Sequence, residues 1–190
     1  MLGDIRGKAK NGYVKDYVVY DLETTGTSTK RDEVIEISAV KVRDGKIIEE
    51  FSELVNPKIA ISAIASSINN IYDYMVKDAP FFDEVLKRFI DFIGDDILVG
   101  HNINSFDMNF IYRDTARYFS KTITNDYIDT LKLSRKCLPE LSHHRLVDLA
   151  DYYGISTVGA HRALNDCRIN QLVYEKLGEE IIKREIIIKQ

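Results

Sequence analysis

Tyr20-Asp21-Leu22-Glu23-Thr24-Thr25-Gly26 closes the apolar run Tyr17-Val18-Val19-Tyr20, and this join decides how the chain is read. The run reads as a buried strand. Residues two apart in a strand share a face, so Asp21 and Glu23 project side by side at its end. Adjacent carboxylates repel unless they share a proton or a cation. Hard oxygen donors of this kind suit Mg²⁺ or Mn²⁺. Thr24-Thr25-Gly26 then turns the backbone away and leaves amides and hydroxyls near the same spot. Taken alone, the pair is equally readable as two solvated acids at a strand end.

The remaining chain bounds the context. At 190 residues, 45% hydrophobic and 29% charged, it is long and apolar enough for one well-buried α/β domain. That domain is placed at 17–190, behind an N-terminal extension at 1–16. The formal net charge of −4 excludes a broad basic field for gripping a long duplex. A short strand held at its end, with cations offsetting an acidic pocket, stays open. Cys137 and Cys167 form no CxxC motif and read as core fillers. Met1–Asp16 contains no signal-peptide core and no run approaches a membrane span. The expectation is a soluble protein of a reducing cytoplasm with no membrane partner.

Going outward from the first strand, Val34–Val42 is β-rich. Asp44-Gly45 is a two-residue hairpin signal, and Ile47–Val55 returns to Asn56-Pro57. Three strands therefore open the domain, antiparallel. Ile59–Tyr74 reads as loop plus a short helix, with Asn70 suited to a left-handed turn. Phe82, Val85, Leu86, Phe89 and Ile93 recur at helical spacing, which predicts a helix over Pro80–Ile93. Ile97–Gly100 is a short apolar strand, Ser105–Tyr118 a helix, and Tyr127–Asp129 a strand. This unit predicts a right-handed parallel crossover. Asp129 caps a helix over Thr130–Cys137. Ser142 is the expected cap of the next, which Gly154 ends. The last helix begins near His161, and the tail from Ile181 to Gln190 is either its continuation or a docking strand.

Asp107 falls at the start of a helix after the fourth strand, by the carboxyl ends of the sheet. It is either a ligand-site acid or a helix-dipole partner. His161 and Asp166 are five apart and cannot share a helix face. They converge only if His161 sits on the approach after Gly159-Ala160.

Three stretches stand in order: Asp21-Leu22-Glu23-Thr24-Thr25-Gly26, then His101-Asn102 with Phe106-Asp107, then His161-Arg162-Ala163-Leu164-Asn165-Asp166. Together they resemble the three motifs of the DEDDh 3′–5′ exonucleases. The likeness is closest to the proofreading epsilon-type and PolC-type domains of bacterial DNA polymerase III, and covers roughly Asp16–Leu177. It implies an RNase H-like fold, a five-stranded mixed sheet of order 3-2-1-4-5 flanked by helices.

The resemblance further implies two divalent cations, Mg²⁺ or Mn²⁺. Asp21, Glu23 and Asp166 hold one. Asp21 also reaches the other, on which Asp107 acts through water, and His161 is the general base. Leu22, Thr24 and Phe106 touch the terminal nucleotide, with His101 and Asn102 as further substrate contacts. Two departures bear on this. Ile103-Asn104-Ser105 separates Asn102 from Phe106 by more residues than the family commonly has, and Asn70 stands where a glycine is common. His143 and His144 are read as surface residues. The implied activity is hydrolysis of phosphodiester bonds at a single-stranded or frayed DNA 3′ end, in proofreading or repair, with a DNA polymerase subunit as a partner. The alternatives are action on short RNA, or a non-cutting binding module beside a polymerase.

Overall fold

The computed structural model describes residues 6–160 and 162–188, and side chains through residue 183. One sheet carries the molecule. Its strands are β1 (Ala9–Lys10), β2 (Tyr17–Thr24), β3 (Val34–Arg43), β4 (Lys46–Leu54), β5 (Leu98–Gly100) and β6 (Tyr127–Asp129), in spatial order β1-β6-β5-β2-β3-β4. β2, β3 and β4 pair antiparallel. β5 runs parallel to β2 and to β6. The five expected strands thus lie in the expected order.

The sheet has six strands rather than five, and the sixth comes from the stretch read as an extension. β1 adds in parallel to β6, with Ala9 opposite Tyr127 and Lys10 opposite Ile128. Two exposed residues carry no alternation for a sequence reading to detect; the pairing exists because β6 would otherwise be a bare edge. Lys8 N donates to Asp126 Oδ1 at 2.8 Å, and Lys10 Nζ lies 2.9 Å from Asp126 Oδ2. Further on, Tyr13 donates to Glu175 Oε2 at 2.6 Å and packs on Tyr174. Gly178 makes room for it, since a Cβ there would sit 2.3 Å from the Tyr13 ring.

Alternation along β2 sends its side chains to two cores. Val18, Tyr20 and Leu22 pack with Phe89 of α3 (Phe82–Ile93) and Phe110 of α4 (Asp107–Phe119). Tyr17 and Val19 face the other way, with Leu133 of α5 (Thr130–Cys137), Leu149 of α6 (Leu146–Tyr152) and Cys167, Val173 and Tyr174 of α7 (Ala163–Ile188). Asp21 and Glu23 share the parity of Tyr17 and Val19, so they continue the face that α7 covers. Both cysteines are buried and free.

The stretch 59–74 resolves into α1 (Ala63–Asn69) and α2 (Asp73–Val76), with Asn70 at φ 57° ending α1. Asp129 caps α5 as expected, accepting from Leu131 N at 3.0 Å. Ser142 does not cap α6. Arg145 takes that position, and its backbone N donates to Asp148 Oδ2 at 2.9 Å. Asp148 stands three residues into the helix and supplies the closing acceptor, whereas Ser142 lies three residues before the cap position. The tail continues α7 through Ile188. Among the described residues, no helix is long and apolar enough to cross a membrane.

Candidate active site

Asp21 and Glu23 stand near the carboxyl end of β2, and Asp166 lies in the first turn of α7. The three offer carboxylate oxygens all within 4.8 Å of one another. Asp107 stands beside this cluster as the first residue of α4, and its Oδ1 accepts from Leu22 N at 3.2 Å. That bond ties the second motif to the backbone between the two acids of the first.

The charge balance is unfavourable without a cation. Burial, then Asp107, Glu23 and Asp166, push the Asp21 carboxyl well above the usual range. Burial and the neighbouring Asp166, Glu36 and Asp107 raise Glu23 to about 8. Burial raises Asp107 to about 7, against hydrogen bonds from its own amide and that of Leu22. Three hard donors converging within reach of one ion, with carboxyls unable to ionise together, are the donor set a divalent cation fits.

A fifth acid completes the cluster's support. Glu36 on β3 pairs in register with Glu23 on β2 and is buried. Arg162 grips it through Nη2 at 2.7 Å and Nε at 3.2 Å, and Ala163 N donates to it at 3.1 Å. The sequence signal was available: an acid inside the apolar run Val34–Val42 requires a partner. What the sequence does not give is which cation supplies it.

Two clefts reach the acids, one lined by Glu23 and the other by Asp21 and Asp166. The first, of about 430 Å³, is lined by Leu22, Glu23, Thr24 and Phe106, with Ile64 and Ile68 from α1. It unites Leu22, Thr24 and Phe106, the three residues expected at the terminal nucleotide. Ile64 and Ile68 are exposed and were missed; their four-residue spacing is the only local hint. Asn69 also lines this cleft, and its Nδ2 donates to Thr24 O at 3.5 Å.

The second cleft, of about 340 Å³, is lined by Asp21, Asp166, His101, Arg145, Leu146 and Ile169. His101 Nδ1 lies 3.0 Å from Thr130 Oγ1, and burial pushes its pKa down to about 4. Its imidazole is therefore neutral near pH 7. Asn102 lines a further groove together with His101 and Arg135. It adopts φ 62°, and its O accepts from Ser105 N and Phe106 N at 3.0 and 3.2 Å. Asp129 accepts from Asn102 N and Asn104 N at 3.1 and 3.3 Å. The long Asn102–Phe106 spacing is thus absorbed by a tight turn anchored on Asp129. His161 lies outside the described residues.

Residues 18–174 match the RNase_T family, described as exonuclease. The chain belongs to this exonuclease family. It is similar to DNA polymerase III PolC-type of Caldanaerobacter subterraneus subsp. tengcongensis, at 38% identity over 97% of this chain and 13% of that protein. It is also similar to DNA polymerase III subunit epsilon of Aquifex aeolicus, at 39% identity over 87% of this chain and 81% of that one. The chain therefore spans about an eighth of the PolC-type relatives it matches. A solved structure of exonuclease X in complex with 5′ overhanging duplex DNA superposes with a TM-score of 0.69 at 28% identity, covering 87% of this chain and 96% of that one. Exonuclease I shares the fold, with a TM-score of 0.80 at 20% identity over 90% of this chain and 42% of that one.

Proposed function

We propose that this exonuclease-family chain is a metal-dependent 3′–5′ exonuclease that releases mononucleotides from DNA 3′ ends, in proofreading or repair. The observation that carries the reading is the meeting of Asp21, Glu23 and Asp166 within 4.8 Å, although Asp166 lies more than 140 residues beyond the other two in the chain. A non-cutting module has no need of such a cluster, whose unrelieved repulsion destabilises the fold. The reading assigns the activity to a domain at 17–190, to which β1 and Tyr13 of the preceding stretch are clasped.

In this reading Asp21, Glu23 and Asp166 hold one divalent cation, Mg²⁺ or Mn²⁺, and Asp21 with Asp107 serve a second. When bound, such ions supply Lewis acidity toward the attacking water and the departing oxygen. The remaining work falls to the chain. Leu22, Thr24 and Phe106 seat the terminal nucleotide beside the acids. Neutral His101 offers a hydrogen bond rather than a charge in the second cleft. His161 takes the proton of the attacking water, a role that rests on the sequence likeness. Arg162 and Glu36 fix the start of α7 and hence Asp166.

The open clefts suit a single-stranded or frayed DNA 3′ end, because reaching the acids from a paired end requires unstacking. The names of the curated relatives support work beside a DNA polymerase, and with it a cytoplasmic location. The test is to incubate 5′-labelled single-stranded DNA and RNA with Mg²⁺ or Mn²⁺, with and without EDTA. A descending DNA ladder that EDTA abolishes is expected. A ladder on RNA alone reassigns the substrate, and no ladder on either removes the reading.

A further inference from the structure

We infer that the groove beyond His101, bounded by Arg135 and Arg145, is the track for the phosphodiester backbone upstream of the scissile bond. The inference rests on the exonuclease reading above and adds a binding surface to it.

The path follows from the layout of the clefts. Glu23 lines one opening together with Leu22 and Phe106, and Asp21 and Asp166 line another together with His101 and Arg145. A terminal nucleotide seated against Leu22 and Phe106 puts the next phosphate over the acids. The strand then leaves through the second opening. His101, Arg145 and Leu146 line that opening and also a further groove of about 460 Å³, so the two are continuous.

The charge of the groove fits the same occupant. Arg135, His143, His144 and Arg145 line it, and among the described residues no carboxylate does. That is a local reversal in a chain of net charge −4 that also carries an acid cluster next door. Arg135 belongs to the last turn of α5, lines the groove together with His101, and has no carboxylate partner among the described residues. Arg145 spends Nε and Nη2 on Asp148, at 2.9 and 2.7 Å, yet its side chain is 75% exposed and lines the groove. Two arginines along a groove leading from a phosphate-cleaving site are spaced donors for a polyanion. A nucleic-acid backbone is favoured over an acidic peptide because the groove runs directly into the acids, where a peptide has nothing to present.

The test compares kcat/KM for a dinucleotide with that for an octamer of the same base in Mg²⁺. In the wild type the octamer is expected to win, since only it reaches the groove. Arg135→Ala should cut the octamer-to-dinucleotide ratio about tenfold, the scale of one charge-assisted hydrogen bond. It should also reduce the slope of log affinity against log salt, measured by anisotropy of a labelled octamer, by about 0.7. Arg135→Lys should restore most of the slope, and Lys87→Ala, on exposed α3 surface, should change neither quantity. Because Arg145 also helps cap α6, Arg145→Ala is read alongside its thermal melt. An unchanged ratio and slope in Arg135→Ala overturns the inference, as does equal loss on dinucleotide and octamer. If the wild type cuts nothing but binds the octamer with an Arg135-dependent salt slope, the exonuclease reading fails and the groove stands as a single-strand site.

Discussion

Glu36 and Arg162, 126 residues apart in the chain, close the third motif onto the sheet through a two-pronged ion pair. The carboxylate is 3% exposed and the guanidinium 40%. The pair neutralises an acid that would otherwise stand charged beside Glu23, and it sets where α7 starts. Arg162→Ala should therefore cost about 1–3 kcal/mol, below the ~3–5 kcal/mol of a fully buried pair because one partner is partly solvated. Activity should fall further than stability, through misplacement of Asp166. Glu36→Gln, which keeps an acceptor for Ala163 N, should be milder on both. Thermal melts and turnover of the two variants decide this; equal effects would mean the charge pairing is irrelevant.

The acids separate into classes. Asp21→Ala should abolish cleavage and weaken Mg²⁺ binding measured by calorimetry. Asp107→Asn and Asp166→Asn should each lose activity by orders of magnitude. Asp151→Asn, exposed on α6, should change little. Asp114 is not the neutral control that its place outside the motifs suggests. It is 0% exposed and held by Arg113 at 2.8 Å, with Arg113 also on Glu33. Asp114→Asn should lower the melting temperature while leaving residual activity metal-dependent. Wild-type cleavage by Asp21→Ala would end the assignment.

Metal-free stability should depend on pH with a definite sign. Glu23 at about 8, Asp107 at about 7 and the raised Asp21 all lie above the ~4 of an unfolded carboxyl. Between roughly pH 4 and 8 the folded protein therefore binds more protons than the unfolded chain, and stability falls as pH rises. In EDTA the melting temperature should drop by about 5 °C or more from pH 5 to pH 8. Added Mg²⁺ should remove most of the drop. The same pH profile in EDTA and in Mg²⁺ would show that the acids are not coupled through a shared ion.

A rate limb near neutral pH should belong to His161. His101, the other motif histidine, is held down at about 4 and stays neutral across pH 6–8. His161→Gln should keep Mg²⁺ and DNA binding, lose most of the turnover, and lose the limb. Partial recovery at high pH is expected as hydroxide replaces the base. Full turnover with an unchanged profile in His161→Gln would move the proton transfer to a cation-bound water.

Local signals were legible where a few neighbouring residues suffice. Asp44-Gly45 marks the β3–β4 hairpin because both residues take positive φ, 48° and 74°. The apolar spacing of Phe82–Ile93 marks α3, and alternation along β2 puts Asp21 and Glu23 on one face. The Asn102–Phe106 spacing put the placement of His101 and Asn102 in question. In the structure the stretch folds into a turn anchored by Asp129, read only as a helix cap.

The sequence by itself determined the three motifs, their order and the strand and helix types around them, and through the motifs' resemblance it pointed to the family. Each of these depends on residue identity and on periods of two or 3.6 residues, which are local. Only the tertiary structure decided that β1 adds a sixth strand, that Arg162 serves Glu36, that Asp114 is buried, and that two clefts reach the acids. Those facts follow from sheet register and helix docking. They set which distant side chains meet, and no short window of sequence contains both partners.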